Sequence, residues 1–253
     1  MIRWARSFAR RADPRQRSAV LLAGSWARGD AHEGSDIDLW VVRVKGRSHL
    51  RLLEQEGRLV SVRYSTVADE RREMRDPGRW DGAIPGWLHA RVLYDPRGIA
   101  QPLRSEARRR KRSVDRAVRD RYLAYQLAYW SEEVVKLLRA LERGERETAA
   151  VERNLLANHL AFLRVLPMEK WWDTENGFWE KAGRWAGPQF RRAQRAALAI
   201  QGEGWKQGCE AALELYSLTA RANLSLLRGD HRRVVLAACR RAGYPIDEPA
   251  RRR

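Results

Sequence analysis

The sequence predicts an α+β protein, with a sheet-and-helix domain over residues 1–103 followed by an all-α helical bundle over residues 104–253. Two observations carry that division. Before residue 100, short apolar runs of strand length (Ala19 to Ala23, Leu39 to Val42, and the alternating Leu59-Val60-Ser61-Val62-Arg63-Tyr64) are separated by Gly- and Ser-rich turns and by helical stretches. After the charge run Arg104 to Arg112, the period changes. Leu123, Leu127, Trp130, Val134 and Leu137 recur every three or four residues, the stripe of an amphipathic helix. Apolar residues make up 44% of the chain, enough for a true core.

In chain order, a helix is expected over 2–12, ended by Asp13-Pro14. A strand follows at 18–23, then a turn with a short helix at 24–30, and a second strand at 36–43. Residues 48–56 read as a short helix, 59–64 as a third strand, and 66–76 as a helix. A loop rich in Gly, Pro and Trp spans Pro77 to Trp87, and a fourth strand covers 89–94. In the second half, helices are expected through the 123–137 stripe and over 147–165, the latter stopping before Pro167. The Trp-rich segment 171–187 reads as a loop with a short helix. Helices at 189–201, 205–227 and 230–242 complete an up-and-down bundle. No internal repeat or low-complexity linker interrupts the pattern.

The formal net charge is +18, but it is spread out. Residues 1–100 hold 19 Lys+Arg against 13 Asp+Glu, and only six of the 50 basic residues are Lys. A diffuse positive field attracts a nucleoside triphosphate as well as a nucleic acid, so nucleic acid is the less favoured partner. Cys209 and Cys239, thirty residues apart, have no metal or redox spacing and are expected as buried thiols in a reducing compartment. No run reaches the roughly 18 apolar residues of a membrane span. The basic start Met1 to Arg6 lacks a signal peptide's apolar stretch. A cytoplasmic protein with no membrane partner is expected.

The chemistry concentrates in residues 22–42. Gly24-Ser25 follows an apolar run, and Asp36 and Asp38 open the next one. Alternate residues of a strand share a face, so the two carboxylates lie on one side while Ile37 enters the core. Paired hard oxygen ligands suit Mg²⁺, which takes one or two carboxylates together with substrate phosphates. The Gly-Ser turn offers backbone N–H groups and a hydroxyl to a phosphate, just ahead of a helix start that favours negative charge.

Gly24-Ser25-x-Ala27-Arg28-Gly29 with Ser35-Asp36-Ile37-Asp38 resembles the signature of the polymerase-β-like nucleotidyltransferase superfamily. It is most similar to the branch of kanamycin nucleotidyltransferase and the minimal nucleotidyltransferases. The block Tyr94-Asp95-Pro96-Arg97-Gly98 resembles a turn that closes such domains. The resemblance implies a mixed-sheet palm and Mg²⁺-dependent transfer of a nucleoside monophosphate from an NTP, ATP by default, to a hydroxyl of a small molecule, an aminoglycoside-like antibiotic being one candidate. Asp36 and Asp38 would hold the metal, and Gly24, Ser25 and Ser35 would cradle phosphates. Arg28 either reaches a phosphate or pairs with Asp30 or Glu33. The sequence leaves the oligomeric state open, a homodimer being one candidate assembly.

Four further features extend or disturb that pattern. Relatives carry a third carboxylate on the neighbouring strand, where this chain has Val60-Ser61-Val62, with Glu54 and Glu56 close upstream. A serine cannot supply the charge that holds a second ion. The other reading is therefore a degenerate or antitoxin-like module that binds nucleotide, RNA or a protein partner. In the helical domain, Glu132 matches the family's general base and Lys136, four residues on, its phosphate-binding lysine. The same spacing also describes an ordinary surface ion pair. Some relatives of the helical domain are RNases with an Arg-x(4–6)-His motif. Arg153 and His159 fit it, but so do Arg43 and His49, and the match carries little weight. Among eleven tryptophans, Trp26 lies in the phosphate turn, Trp40 follows the aspartates on their own face, and Trp171, Trp172, Trp179 and Trp185 cluster. Core packing accounts for most of them.

Overall fold

In the computed structural model, the structure describes residues 4–8, 18–172 and 174–246. The chain forms two compact units: residues 1–115 with 171–174, and residues 116–170 with 175–253. The fold is α+β. Residue 103 lies inside a helix of the first unit, Ala100–Arg112.

The first unit is built on a five-stranded mixed sheet of β1 (Ser18–Leu22), β2 (Ile37–Arg43), β3 (His49–Gln55), β4 (Arg58–Thr66) and β5 (Arg91–Tyr94), in the order β3-β4-β2-β1-β5. β1 runs antiparallel to both β2 and β5, β3 antiparallel to β4, and β2 parallel to β4. Every residue of β1 is buried, because it is interior to the sheet and covered on both faces. One face carries Val20, Leu22, Ile37, Leu39, Val41, Val60, Val62 and Tyr64, packed against Ala5, Trp4 and Phe8 of the helical residues 4–8. The remainder of the helix expected over 2–12, and the Asp13-Pro14 break, fall outside the described residues.

Two expectations give way here. Residues 48–56 are not helical: His49–Gln55 is the edge strand β3, hydrogen-bonded along its length to β4. Glu56 (φ 53°) and Gly57 (φ 74°) both take left-handed backbone, as a two-residue type I′ hairpin turn demands. That turn fixes the register, and it outweighs the helical propensity of the leucines. Nor is Pro77 to Trp87 a loop. From Trp80 onward it belongs to a helix, Trp80–His89, with Pro85 inside it. Trp80, Ala83, Ile84 and Trp87 are all buried, at the i, i+3, i+4, i+7 spacing of one helical face. Gly86 brings this helix onto the sheet. A Cβ there would lie 2.5 Å from Cη2 of Trp40, so only glycine permits the approach.

The helices of this unit are α1 (Gly24–Arg28), α2 (Val67–Glu73), α3 (Trp80–His89) and α4 (Ala100–Arg112). α2 starts with a capping box. Thr66 Oγ1 accepts from the Asp69 amide at 3.1 Å while Asp69 accepts from the Thr66 amide at 3.2 Å. α4 starts where the Asp95 carboxylate accepts from the amides of Ile99 and Ala100 at 2.9 and 2.8 Å. This anchors the turn seen in the sequence at Tyr94 to Gly98.

The second unit is helical: α5 (Arg116–Arg143), α6 (Arg146–Val165), α7 (Phe178–Ala186), α8 (Pro188–Ala197), α9 (Trp205–Ala222) and α10 (Gly229–Arg241). Leu123, Leu127, Trp130, Val134 and Leu137 are buried in one core with Leu156, Leu160, Phe190 and Tyr216. The Tyr216 hydroxyl donates to the Leu127 carbonyl at 2.9 Å, pinning α9 to α5. Cys209 and Cys239 are free, buried thiols. No helix among the described residues is long and apolar enough to cross a membrane.

Candidate active site

The sheet brings the two sequence blocks together. The Ala23 amide donates to the Asp38 carbonyl at 2.8 Å, so the Gly24-Ser25 bend sits against the start of β2. Gly24 has φ +61°, and a Cβ on it would lie 2.2 Å from Asp38 Oδ2. Glycine is therefore required twice over, by backbone conformation and by the carboxylate pressed against it. Beyond the bend, α1 opens with N–H groups that have no intrahelical acceptor, which suits an anion. Gly29, at φ 90°, ends it.

Asp36 is exposed, one residue before β2 begins, and Asp38 is half-buried within it. The carboxyl of Asp38 is raised above the ordinary aspartate range. Burial is the largest cause and the Asp36 charge the second; a hydrogen bond with Ser61 and the Arg28 charge oppose them. The two aspartates thus feel each other, and a cation between them would relieve that repulsion. Arg28 also ion-pairs through Nε with Asp30 at 3.1 Å, so it serves the local loop while remaining within electrostatic reach of Asp38. Ser35 is buried, and its hydroxyl is taken by the His32 amide at 2.9 Å, which gives it a turn-building part.

In the parallel β2–β4 pair, Asp38 stands opposite Ser61 and Trp40 opposite Arg63. Serine therefore occupies the sheet position beside the second aspartate. Glu54 lies on edge strand β3, opposite Leu59, and the Glu54 carboxylate accepts from the Gly57 amide of the hairpin turn. Glu56 lies in the turn itself. Among the described residues no cluster of three or more His, Cys, Asp or Glu has the arrangement of a metal site. What the site offers a cation is two carboxylates and a hydroxyl, a set that fits Mg²⁺, which keeps part of its water shell.

Sequence reasoning missed the network behind the aspartates. The Arg63 guanidinium lies 4.5 Å from the Trp40 ring centroid and forks onto buried Glu70, with Nη2 at 2.7 and 2.9 Å from the two carboxylate oxygens; Nη1 reaches Glu73 at 2.8 Å. Trp87 Nε1 donates to Glu70 Oε2 at 2.7 Å, and Trp87 meets Trp40 edge-on. These groups lock Trp40 and Arg63, each two residues along the strand from Asp38 or Ser61 and on the same face. The alternation Ser61–Arg63 was visible in the sequence, but nothing there marked Glu70 as its partner.

The remaining candidates stand on the second unit. Glu132 is exposed on α5 and pairs with Lys136 at 3.1 Å, as the four-residue spacing allows. Lys136 also donates to Glu133 at 3.1 Å, and the two carboxylates hold its pKa above the ordinary lysine value. Glu133 is buried against Glu152 of α6. Burial, then the hydrogen bond and charge of Glu133, push Glu152 up to about 7, while Glu133 is lowered by that hydrogen bond and by Lys136. Glu133 is thus the carboxylate of the pair and Glu152 the acid. The His159 ring packs on Trp130 at 4.1 Å and its Nδ1 lies 3.0 Å from the Leu155 carbonyl. Arg153 lies against Gly208 of α9.

The first unit is an α/β sheet domain with a glycine–serine bend seated on paired aspartates. Residues 2–79 match the family described as the nucleotidyltransferase domain. A solved structure, a nucleotidyltransferase-like protein from Exiguobacterium sibiricum, shares the fold with a TM-score of 0.58 at 15% identity, over 95% of this chain and 80% of that one. No curated protein shows significant similarity to the chain. These findings show a likeness to a nucleotidyltransferase domain over residues 2–79 and a shared fold for the chain.

Proposed function

We propose that the chain binds a nucleoside triphosphate with Mg²⁺ at the Gly24–Asp38 site and transfers its nucleoside monophosphate to a hydroxyl of a small molecule. The observation that carries this reading is the seating of the Gly24-Ser25 bend directly on the Asp38 carboxylate, beside Asp36. A phosphate held at the bend lies next to the carboxylates that would hold a cation. Mg²⁺ would supply charge neutralisation at the phosphate that is attacked. The chain's own groups would do the rest. Amides of the bend and the Ser25 hydroxyl hold terminal phosphates, Arg28 offsets negative charge, and the Trp40–Arg63–Glu70 network keeps the strand face rigid.

Ser61 supports a second reading, a degenerate module that binds nucleotide without turnover. Incubation with each labelled triphosphate, Mg²⁺ and a panel of hydroxylated acceptors, aminoglycosides included, separates the two. Pyrophosphate release that disappears in Asp38→Asn supports the enzyme. Tight nucleotide binding with no release supports the second reading, and neither binding nor release defeats both.

A further inference from the structure

We infer that α2 and α4 of the first unit form a docking surface for the phosphodiester backbone of a nucleic acid, an inference independent of the triphosphate reading. Six of the nine residues from Arg104 to Arg112 are Arg or Lys, the densest basic run among the described residues. Arg104 is turned inward, with its guanidinium on the carbonyls of Trp87 and Ala90. Arg108, Arg109 and Arg112 are exposed, and their spacing places them on the solvent side of α4, opposite buried Leu103 and Ala107.

α2 adds to the same surface. Arg71 Nε reaches Glu106 Oε2 of α4 at 3.3 Å, which ties the two helices side by side. Glu106 is itself shared with Arg109 at 3.9 Å and Arg110 at 2.9 Å, one carboxylate among three guanidinium groups. The acids of α2 are occupied as well: Glu70 and Glu73 by Arg63, and Asp69 by Thr66, Ser48 and Arg72. Among the described residues, no carboxylate lies within ion-pair distance of Arg75, Arg108 or Arg112, so the ridge keeps a net positive charge.

The chemistry of the ridge selects the partner. Protein–protein interface cores are depleted in charge and anchored by aromatic or large apolar side chains. The exposed positions of α4 are Gln101, Pro102, Ser105, Arg108, Arg109, Lys111 and Arg112, with no such anchor. A polar, strongly positive surface is what a nucleic-acid backbone meets. Arginine, which supplies nearly all of the charge, can grip a phosphate with two parallel N–H donors.

The test uses the full chain and a fluorescein-labelled single-stranded RNA of roughly 20 nucleotides, with a DNA duplex of matching sequence as a second arm, read by anisotropy across a salt series. For single strands, each phosphate contact adds about −0.7 to the slope of log affinity against log salt. Arg108→Glu with Arg112→Glu is expected to weaken binding at least about tenfold and to flatten that slope by about 1.4. Arg108→Gln with Arg112→Gln is expected to flatten it by the same amount, with far-UV circular dichroism reporting that the fold is kept. Charge reversal at exposed Arg240 and Arg241 of the second unit is the control. Equal weakening there would make the attraction a property of the whole charged chain and overturn the inference. So would a wild-type slope in the ridge variants, no measurable binding, or displacement by polyglutamate as effective as that by polyuridylate at equal charge. Loss of nucleic-acid binding in the ridge variants, with binding of the Mg²⁺ triphosphate unchanged, supports the inference and leaves the triphosphate site to be judged separately.

Discussion

Ser61 faces Asp38 across the parallel β2–β4 pair and hydrogen-bonds its carboxylate. A hydroxyl in that place stabilises one aspartate; a carboxylate would repel it and ask for a second cation. The site's behaviour toward metal and pH follows from this neighbour.

Replacing it tests the point directly. Ser61→Asp puts a third negative charge beside Asp36 and Asp38, which lowers the stability of the metal-free protein by about 1 kcal/mol or more. Divalent cation should restore it. Thermal melts with and without Mg²⁺ are expected to show a larger metal-induced rise in Tm for the variant than for the wild type. An equal rise would mean that the three positions do not share an ion.

Asp38 titrates above the ordinary aspartate range, so a cation bound there would have to compete with a proton. Mn²⁺ affinity is expected to climb as pH rises through that elevated pKa. Ser61→Ala removes a donor that favours the charged form, and the climb should move to higher pH. Calorimetric titrations across the acid range would show the displacement, and an unmoved curve would sever Ser61 from Asp38.

Gly24→Ala should be severe for its size. The new methyl would meet Asp38 Oδ2, on backbone with φ +61° that costs a residue with a side chain about 1–3 kcal/mol. Nucleotide binding by equilibrium dialysis is expected to be lost, while circular dichroism retains the helical signal of the second unit. Wild-type binding by this variant would remove the bend from the site.

Behind the site, Trp87→Phe strips Glu70 of a donor to a charged, buried oxygen, a loss of about 1.5–3 kcal/mol. Arg63→Met leaves the same carboxylate without its main counter-charge and should cost more, about 3–5 kcal/mol. Urea denaturation of both variants checks the order, and a milder Arg63 variant would contradict the network.

In the helical unit, Glu152 keeps a proton up to about pH 7 that an unfolded glutamate releases near 4.5. Between those values the folded chain binds more protons than the unfolded one, so this group's contribution to stability falls as pH rises through the window. Glu152→Gln keeps a donor toward Glu133 but cannot titrate. Its urea midpoint should change less than the wild type's between about pH 5 and about pH 8.

Sequence patterning revealed most of this architecture because it depends on local periodicity. The 123–137 stripe became the inner face of α5, and Gly24-Ser25 and Asp-x-Asp met as the motif implied. Errors arose where a tertiary contact outweighed local preference. Residues 49–55 became a strand because the Glu56-Gly57 turn folds them onto β4, and residues 80–89 became a helix because Trp80, Ala83, Ile84 and Trp87 bury one face, with Gly86 leaving space for Trp40. Glu70 and Glu152 escaped notice for a related reason. Their partners, Arg63 and Glu133, lie 7 and 19 residues away, and no short pattern joins them.

The pairing of β2 with β4 has one more consequence. Because side chains alternate along a strand, sliding β4 by one position would bring Val60 or Val62 beside Asp38 and turn Ser61 into the greasy interior. The face that carries the aspartates is therefore sorted by the same oil-and-water partition that sorts the valines. Chemistry and foldedness fail together there, and a lesion at Val60 or Val62, on the opposite face of the strand from Ser61, should silence the centre as surely as one at the aspartates.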